Sequence, residues 1–118
     1  MCGIAGIVGR RDEALARRMT DALAHRGPDD AGIHAADGVT LGHRRLSIID
    51  LGGGHQPMAN ADETLWLVYN GEIYNYRDLR KELEAKGHAF RTDSDTEIIL
   101  EAYAEWGEPC VERFQGMF

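Results

Sequence analysis

The sequence predicts an α+β fold, and three observations lead to it. Strand-like apolar runs come first, helical periodicities are interleaved later, and an Asp37-Gly38 pair between two strand-like runs is a strong hairpin signal. Together they favour antiparallel pairing over a parallel βαβ series. The chain has 118 residues, 43% of them apolar and 28% charged. That suits one domain with one core, burying roughly two-thirds of the unfolded surface.

Residues 2–8 are short and apolar, with small residues between Ile4, Ile7 and Val8. They read as a buried strand that other backbone approaches closely at its glycines. A helix follows over residues 12–24. Leu15, Met19, Ala22 and Leu23 recur at i, i+4, i+7 and i+8 as one apolar stripe, with acids in the first turn. His25-Arg26-Gly27-Pro28-Asp29-Asp30 cannot continue a helix. Residues 32–36 and 39–49 are predicted strands, joined at Asp37-Gly38. Residues 51–62 carry three glycines and Pro57 and read as loop. Residues 64–69 are β-rich and end at Asn70-Gly71.

Asn75 can cap a helix over residues 76–86, with Leu79 and Leu83 inward and Gly87 at the C′ position. Ser94-Asp95-Thr96-Glu97 matches a capping box and opens a helix to Trp106. Ile98, Ile99, Ala102, Tyr103 and Trp106 form its apolar face, and Gly107 ends it. Pro109 suits the first turn of a last short helix, in which Cys110 faces the core.

Composition narrows the function. The net charge is −7, which opposes phosphate backbones and argues against a nucleic-acid partner. No apolar run reaches the ~20 residues of a membrane span, and no secretory leader pattern precedes the first strand, so the expected compartment is the cytoplasm. Two cysteines are too few for a disulfide framework. Gly3, Gly6 and Gly9 lack the dinucleotide-loop spacing, and Gly52, Gly53 and Gly54 lack the Gly-Lys-Ser/Thr of a phosphate loop. Asp93, Asp95 and Glu97 lack the glycine and terminal Glu of a calcium loop. Five histidines show no metal-ligand spacing, so no metal is expected.

Cys2 remains. A small residue after Met1 favours removal of Met1, which would leave Cys2 at the mature N-terminus. A free α-amine titrates at about 7.7–8.0, so part of it is neutral base near pH 7. Thiol and amine on one residue then form a nucleophile–base pair without a histidine. The plainer alternative is a small buried hydrophobe.

Seven motifs occur in order: Met1-Cys2-Gly3-Ile4-Ala5-Gly6, His25-Arg26-Gly27-Pro28-Asp29, Arg45-Leu46-Ser47-Ile48-Ile49-Asp50-Leu51, Gln56-Pro57-Met58, Asn70-Gly71-Glu72-Ile73-Tyr74-Asn75, Thr92-Asp93-Ser94-Asp95-Thr96-Glu97 and Gln115-Gly116-Met117-Phe118. Over essentially the whole chain they resemble the N-terminal glutamine amidotransferase domain of glutamine-hydrolysing asparagine synthetases. Sister class II amidotransferases share the Cys-Gly-Ile start and the Asn-Gly element. Beta-lactam synthetases and other amide-forming relatives share the closer branch, so the donor is better defined than the acceptor.

The resemblance implies an N-terminal-nucleophile hydrolase fold, an αββα sandwich, of which residues 1–118 would be the N-terminal portion. It implies that Cys2 attacks the glutamine side-chain amide and forms a γ-glutamyl thioester, while Asn70 and Gly71 form the oxyanion hole. Arg45 would clamp the α-carboxylate bidentately, Asp95 and Glu72 would receive the α-ammonium, and the backbone of Leu46, Ser47, Ile48 and Ile49 would line the pocket. A zwitterion needs one cation and one or two carboxylates around it, and this set supplies them. The implied partners are L-glutamine and a synthetase domain of the same chain, beyond these residues. That domain would use ATP and magnesium to make asparagine with the released ammonia; no cofactor is expected in this segment. A homodimer is left open. The competing reading is a fragment that binds glutamine or a partner chain without turnover.

Overall fold

The computed structural model describes residues 1–118. The elements in order are β1 (Gly3–Val8), α1 (Glu13–Ala22), β2 (Asp30–Ala36), β3 (Val39–Arg45), β4 (Met58–Ala59), β5 (Trp66–Leu67), β6 (Glu72–Ile73), α2 (Tyr76–Ala85), α3 (Asp95–Trp106), a 3₁₀ helix (Glu108–Arg113) and β7 (Gly116–Met117). β3 is the centre of a three-stranded sheet ordered β1-β3-β2; β4 pairs with β5, and β6 with β7. Every pairing is antiparallel, so the fold is mixed α and β, as predicted. The Asp37-Gly38 hairpin forms, with Ala36 opposite Val39 and Gly38 at φ 79°, where glycine costs least. No helix is long and apolar enough to cross a membrane.

Register decides which side chains share a face. Ala5, Gly42 and Ile33 stand in one row, and α1 lies over that face. A Cβ on Gly42 would collide with Thr20 Oγ1, so only small side chains fit between helix and sheet. α1 therefore buries Ala16 and Thr20. The predicted stripe is rotated: Leu15 and Leu23 are half-buried, whereas Met19 and Ala22 are exposed. Close approach to glycine selects for small size ahead of hydrophobicity. Asp12 caps the helix, its carboxylate accepting from Leu15 N–H at 2.9 Å.

The second half builds its own core. Ile73, Leu79, Leu83, Ile98, Ala102 and Cys110 are buried together, with Tyr69, Phe90, Trp106 and Phe114 against them. The predicted inner faces of α2 and α3 largely hold. Tyr103 departs from prediction at 44% exposed, and Leu100 takes a buried place instead. Cys110 faces the core as expected, and burial pushes its thiol pKa up.

Side chains expected to cap helices are diverted to tertiary contacts. Asn75 makes no cap bond. Its amide instead donates to Arg113 O at 3.0 Å and accepts from Gln115 N–H at 2.9 Å, tying α2 to the chain after the 3₁₀ helix. Ser94 does cap α3, accepting from Thr96 N–H at 3.1 Å. Glu97, the expected reciprocal member of the capping box, turns to the preceding loop, where its carboxylate accepts from Arg91 N–H, Thr92 N–H and Thr92 Oγ1. A carboxylate only 1% exposed needs several donors, and that loop offers more of them than the cap.

His88 bridges the loop after α2 to α3. Nδ1 meets Glu101 at 2.7 Å and Nε2 meets Glu105 at 2.8 Å. Both nitrogens must donate, so the imidazolium is the favoured form, and its hydrogen bonds to Glu105 and Glu101 raise its pKa. The folded value lies above the unfolded one. This contribution is therefore complete below the ordinary histidine pKa of about 6.5 and is lost as pH rises through the raised value. Thermal melts across that window should show the loss, and His88→Gln should flatten it; an unchanged profile in the variant would refute this assignment.

Candidate active site

The two halves meet at a cleft. Cys2 precedes β1 and Arg45 ends β3, so the sheet delivers both to the same edge. β3 stops there, short of the predicted residue 49. The next amides find side chains in place of a strand partner. Leu46 N–H donates to Cys2 Sγ at 3.4 Å, and Ser47 N–H donates to Asp29 Oδ2 at 2.8 Å. The sulfur is also 3.7 Å from Leu46 O, and Arg26 Nε donates to Cys2 O at 3.0 Å. The cysteine is thereby held on both its side chain and its main chain.

Adjacent strand residues face opposite ways, and the two arginines separate accordingly. Arg44 donates to Gly27 O at 3.1 Å, away from the cleft. Arg45 is 6% exposed and lines the cleft. Its Nη1 donates to Leu51 O at 3.2 Å, and its Nη2 to Ile49 O at 2.8 Å and Asp50 O at 2.5 Å. The guanidinium thus organises the turn that follows β3. One donor on Nε and one on Nη1 remain, and they lie on different edges of the plane. A bidentate carboxylate clamp therefore requires the Ile49–Asp50 turn to release a donor.

On the opposite wall, residues 64–69 were predicted as one strand, but only Trp66–Leu67 pairs, with a β4 that falls in the predicted loop. Tyr69 is held by side chains: its N–H donates to Gln56 Oε1 at 2.6 Å, and its carbonyl accepts from His43 Nε2 at 3.0 Å. A carbonyl only accepts, so His43 carries its proton on Nε2. Burial lowers the His43 pKa, partly opposed by that hydrogen bond. Asn70 and Gly71 follow at the cleft. A Cβ at Gly71 would run into Met117 O and the Tyr69 hydroxyl, so the turn admits no side chain there. That hydroxyl is buried without a partner, and burial together with the nearby Asp95 and Glu72 pushes its pKa far above the usual tyrosine range.

Asp95 opens α3 and is 5% exposed. Its Oδ2 accepts from Ile73 N–H at 2.9 Å, linking α3 to β6. Burial raises its pKa; the Ile73 amide opposes this, and the Glu72 charge adds to it. Two carboxylates in one partly desolvated cleft call for a cation, as a ligand ammonium would provide.

Cys2, Arg45, Leu46, Ile48, Ile49, Asn70, Gly71, Glu72 and Asp95 all line this cleft. Ser47 does not; its amide is turned toward Asp29. Met1, Gln56, Tyr69, Ser94, Thr96 and Met117 also line it without having been predicted there. Gln56 had a weak signal, a polar residue in the Gln-Pro-Met motif. Met1, Ser94, Thr96 and Met117 belong to the seven motifs without a side-chain chemistry that points to a site, and Tyr69 lies outside the motifs, beside Asn70.

A family profile described as a glutamine amidotransferase domain matches residues 1–118. The chain is 46% identical over 125 aligned positions to asparagine synthetase (glutamine-hydrolyzing) 3 of Bacillus subtilis (strain 168), covering 100% of this chain and 20% of that protein. It is 44% identical over 123 positions to asparagine synthetase (glutamine-hydrolyzing) 3 of Arabidopsis thaliana, covering 100% of this chain and 21% of that one. A Zea mays asparagine synthetase (glutamine-hydrolyzing) is 43% identical, with the same two coverages. The chain spans about one-fifth of the length of these relatives.

Proposed function

This chain belongs to the glutamine amidotransferase domain family, and from that membership we propose that its cleft hydrolyses the side-chain amide of L-glutamine with Cys2 as nucleophile. The observation that carries the reading is convergence: Cys2 shares one cleft with a guanidinium, two carboxylates and an Asn-Gly turn. With Met1 removed, the α-amine of Cys2 takes the thiol proton as the sulfur attacks the amide carbon. The carbonyl oxygen becomes an oxyanion facing the Asn70 side-chain N–H and the Gly71 backbone N–H. The amine returns the proton to the departing nitrogen, ammonia leaves, and a γ-glutamyl thioester remains. Water then cleaves the thioester, giving glutamate and the free thiol. Asp95 and Glu72 receive the substrate ammonium, and Arg45 with the Leu46, Ile48 and Ile49 backbone receives its carboxylate; Ser47, whose amide is held by Asp29, takes no part.

The wider reading is that the ammonia serves ATP-dependent asparagine synthesis by a further domain of the same protein in the cytoplasm, with ATP and magnesium held by that domain. Residues 1–118 would then be the N-terminal portion of an αββα N-terminal-nucleophile hydrolase sandwich. The sheet face opposite α1 supports this: Ile4 is 50% and Val8 89% exposed there, a face that a second sheet would cover. Met1 favours a second reading, glutamine binding without turnover, because it lines the cleft beside Cys2 as long as it is retained. Intact-mass analysis after treatment with 6-diazo-5-oxo-L-norleucine separates the two. Loss of Met1 and an adduct on Cys2 are expected. Retained Met1 with no adduct on a folded protein would leave only the binding reading.

A further inference from the structure

We infer that Gln56 and His43 are positioning residues for the Asn70-Gly71 donors, holding the Tyr69 main chain from both sides. The inference rests on the amidotransferase reading and extends it to two residues outside the chemistry.

β5 ends at Leu67, so no strand ladder fixes residue 69. Its two main-chain groups are bonded by side chains instead, the N–H by Gln56 at 2.6 Å and the carbonyl by His43 at 3.0 Å. The Tyr69 carbonyl and the Asn70 N–H belong to one rigid peptide plane. Fixing the carbonyl fixes the plane that carries Asn70 N and Cα, the point from which the Asn70 side chain projects and the Gly71 peptide starts. Both holding residues are deeply buried, Gln56 at 4% and His43 at 1% exposed, so neither exchanges its bond for water.

Each is anchored elsewhere. His43 stands in the central strand β3, opposite Ile4 of β1 and Gly32 of β2. The Gln56 main chain crosses β2 at Gly32, where a Cβ would collide with Gln56 O. Its other amide arm, Nε2, donates to Thr96 Oγ1 at 3.3 Å. Thr96 adjoins Asp95 on α3. One buried amide therefore spans the oxyanion donors and the helix bearing the ammonium-binding carboxylate. Glutamine supplies both an acceptor and a donor; methionine of similar length supplies neither, and glutamate keeps the acceptor for Tyr69.

The oxyanion donors act on charge that develops only in the transition state, while Arg45, Asp95 and Glu72 hold the ground-state zwitterion. Displacing the donors should lower kcat and leave KM nearly unchanged. The test is steady-state glutamine hydrolysis by wild type, Gln56→Met, Gln56→Glu and Thr96→Val, with amide hydrogen exchange on each. Gln56→Met is expected to lose about 10- to 100-fold in kcat, with KM within about threefold. Its Tyr69 amide should exchange faster while the β1–β3 ladder stays protected, and Gln56→Glu should recover most of both effects. Thr96→Val cuts only the second arm and should show a smaller kcat loss, which keeps the inference testable where Gln56→Met fails to fold. An active wild type whose Gln56→Met or Thr96→Val variant keeps full kcat, or a kcat loss that Gln56→Glu does not repair, overturns the inference alone. A folded wild type, free of Met1, that hydrolyses no glutamine overturns the amidotransferase reading and this inference with it.

Discussion

Cys2→Ala should bring glutamine hydrolysis down to buffer background while leaving glutamine binding intact. The sulfur forms the only covalent bond to substrate in the proposed route, and alanine has no atom to take its place. Loss of a nucleophile typically costs about 10⁴-fold or more in kcat. Arg45, Asp95 and Glu72, the proposed zwitterion contacts, lie elsewhere in the cleft and are untouched by the substitution. Ammonia release measured beside calorimetric titration with glutamine reads both quantities. Residual turnover within tenfold of wild type would show that another group performs the attack. Loss of binding together with turnover would instead show that Cys2 holds the cleft open, a structural role consistent with its sulfur contacts to Leu46.

Asn70→Ala should cost about 10²–10³ in kcat with a small change in KM, the usual cost of removing one oxyanion donor. Asn70-Gly71 also makes a tight turn, so the same pair could serve only to reverse the chain. The two roles differ in their kinetic signature. A turn residue replaced by alanine lowers stability and affects kcat only through the folded fraction. A lost oxyanion donor lowers kcat in a fully folded protein. Thermal melts run with the kinetics separate these outcomes, and a variant with reduced stability but full kcat would remove Asn70 from the proposed mechanism.

The legibility of the fold followed the range of the interactions involved. The Asp37-Gly38 hairpin and the inward leucines of α2 depend on neighbours a few residues away, and they stand where periodicity and turn chemistry put them. The early end of β3 and the shortening of the strand before Asn70 were not legible. In both places a distant side chain replaces the expected strand partner: Cys2 and Asp29 for residues 46 and 47, Gln56 and His43 for residue 69. Helix α1 turned on its axis because Gly42 of β3 admits Thr20 and no larger residue, a constraint absent from the helix's own sequence.

The candidate site divides in the same way. The family motifs picked out a thiol near the amino terminus, a guanidinium, two carboxylates and an Asn-Gly turn, and residue type explains why that set suits a zwitterionic amide, because charge and nucleophilicity belong to the side chain wherever it sits. Only the tertiary structure decided that these groups face one cleft, that Ser47 turns away from it, and that most Arg45 donors hold the Ile49–Leu51 turn. Those outcomes depend on where distant segments meet, as Cys2 and Leu46 do across 44 positions. Hydrogen bonds and desolvation act through space, so the pairing of such segments is settled when the chain packs and not by local sequence.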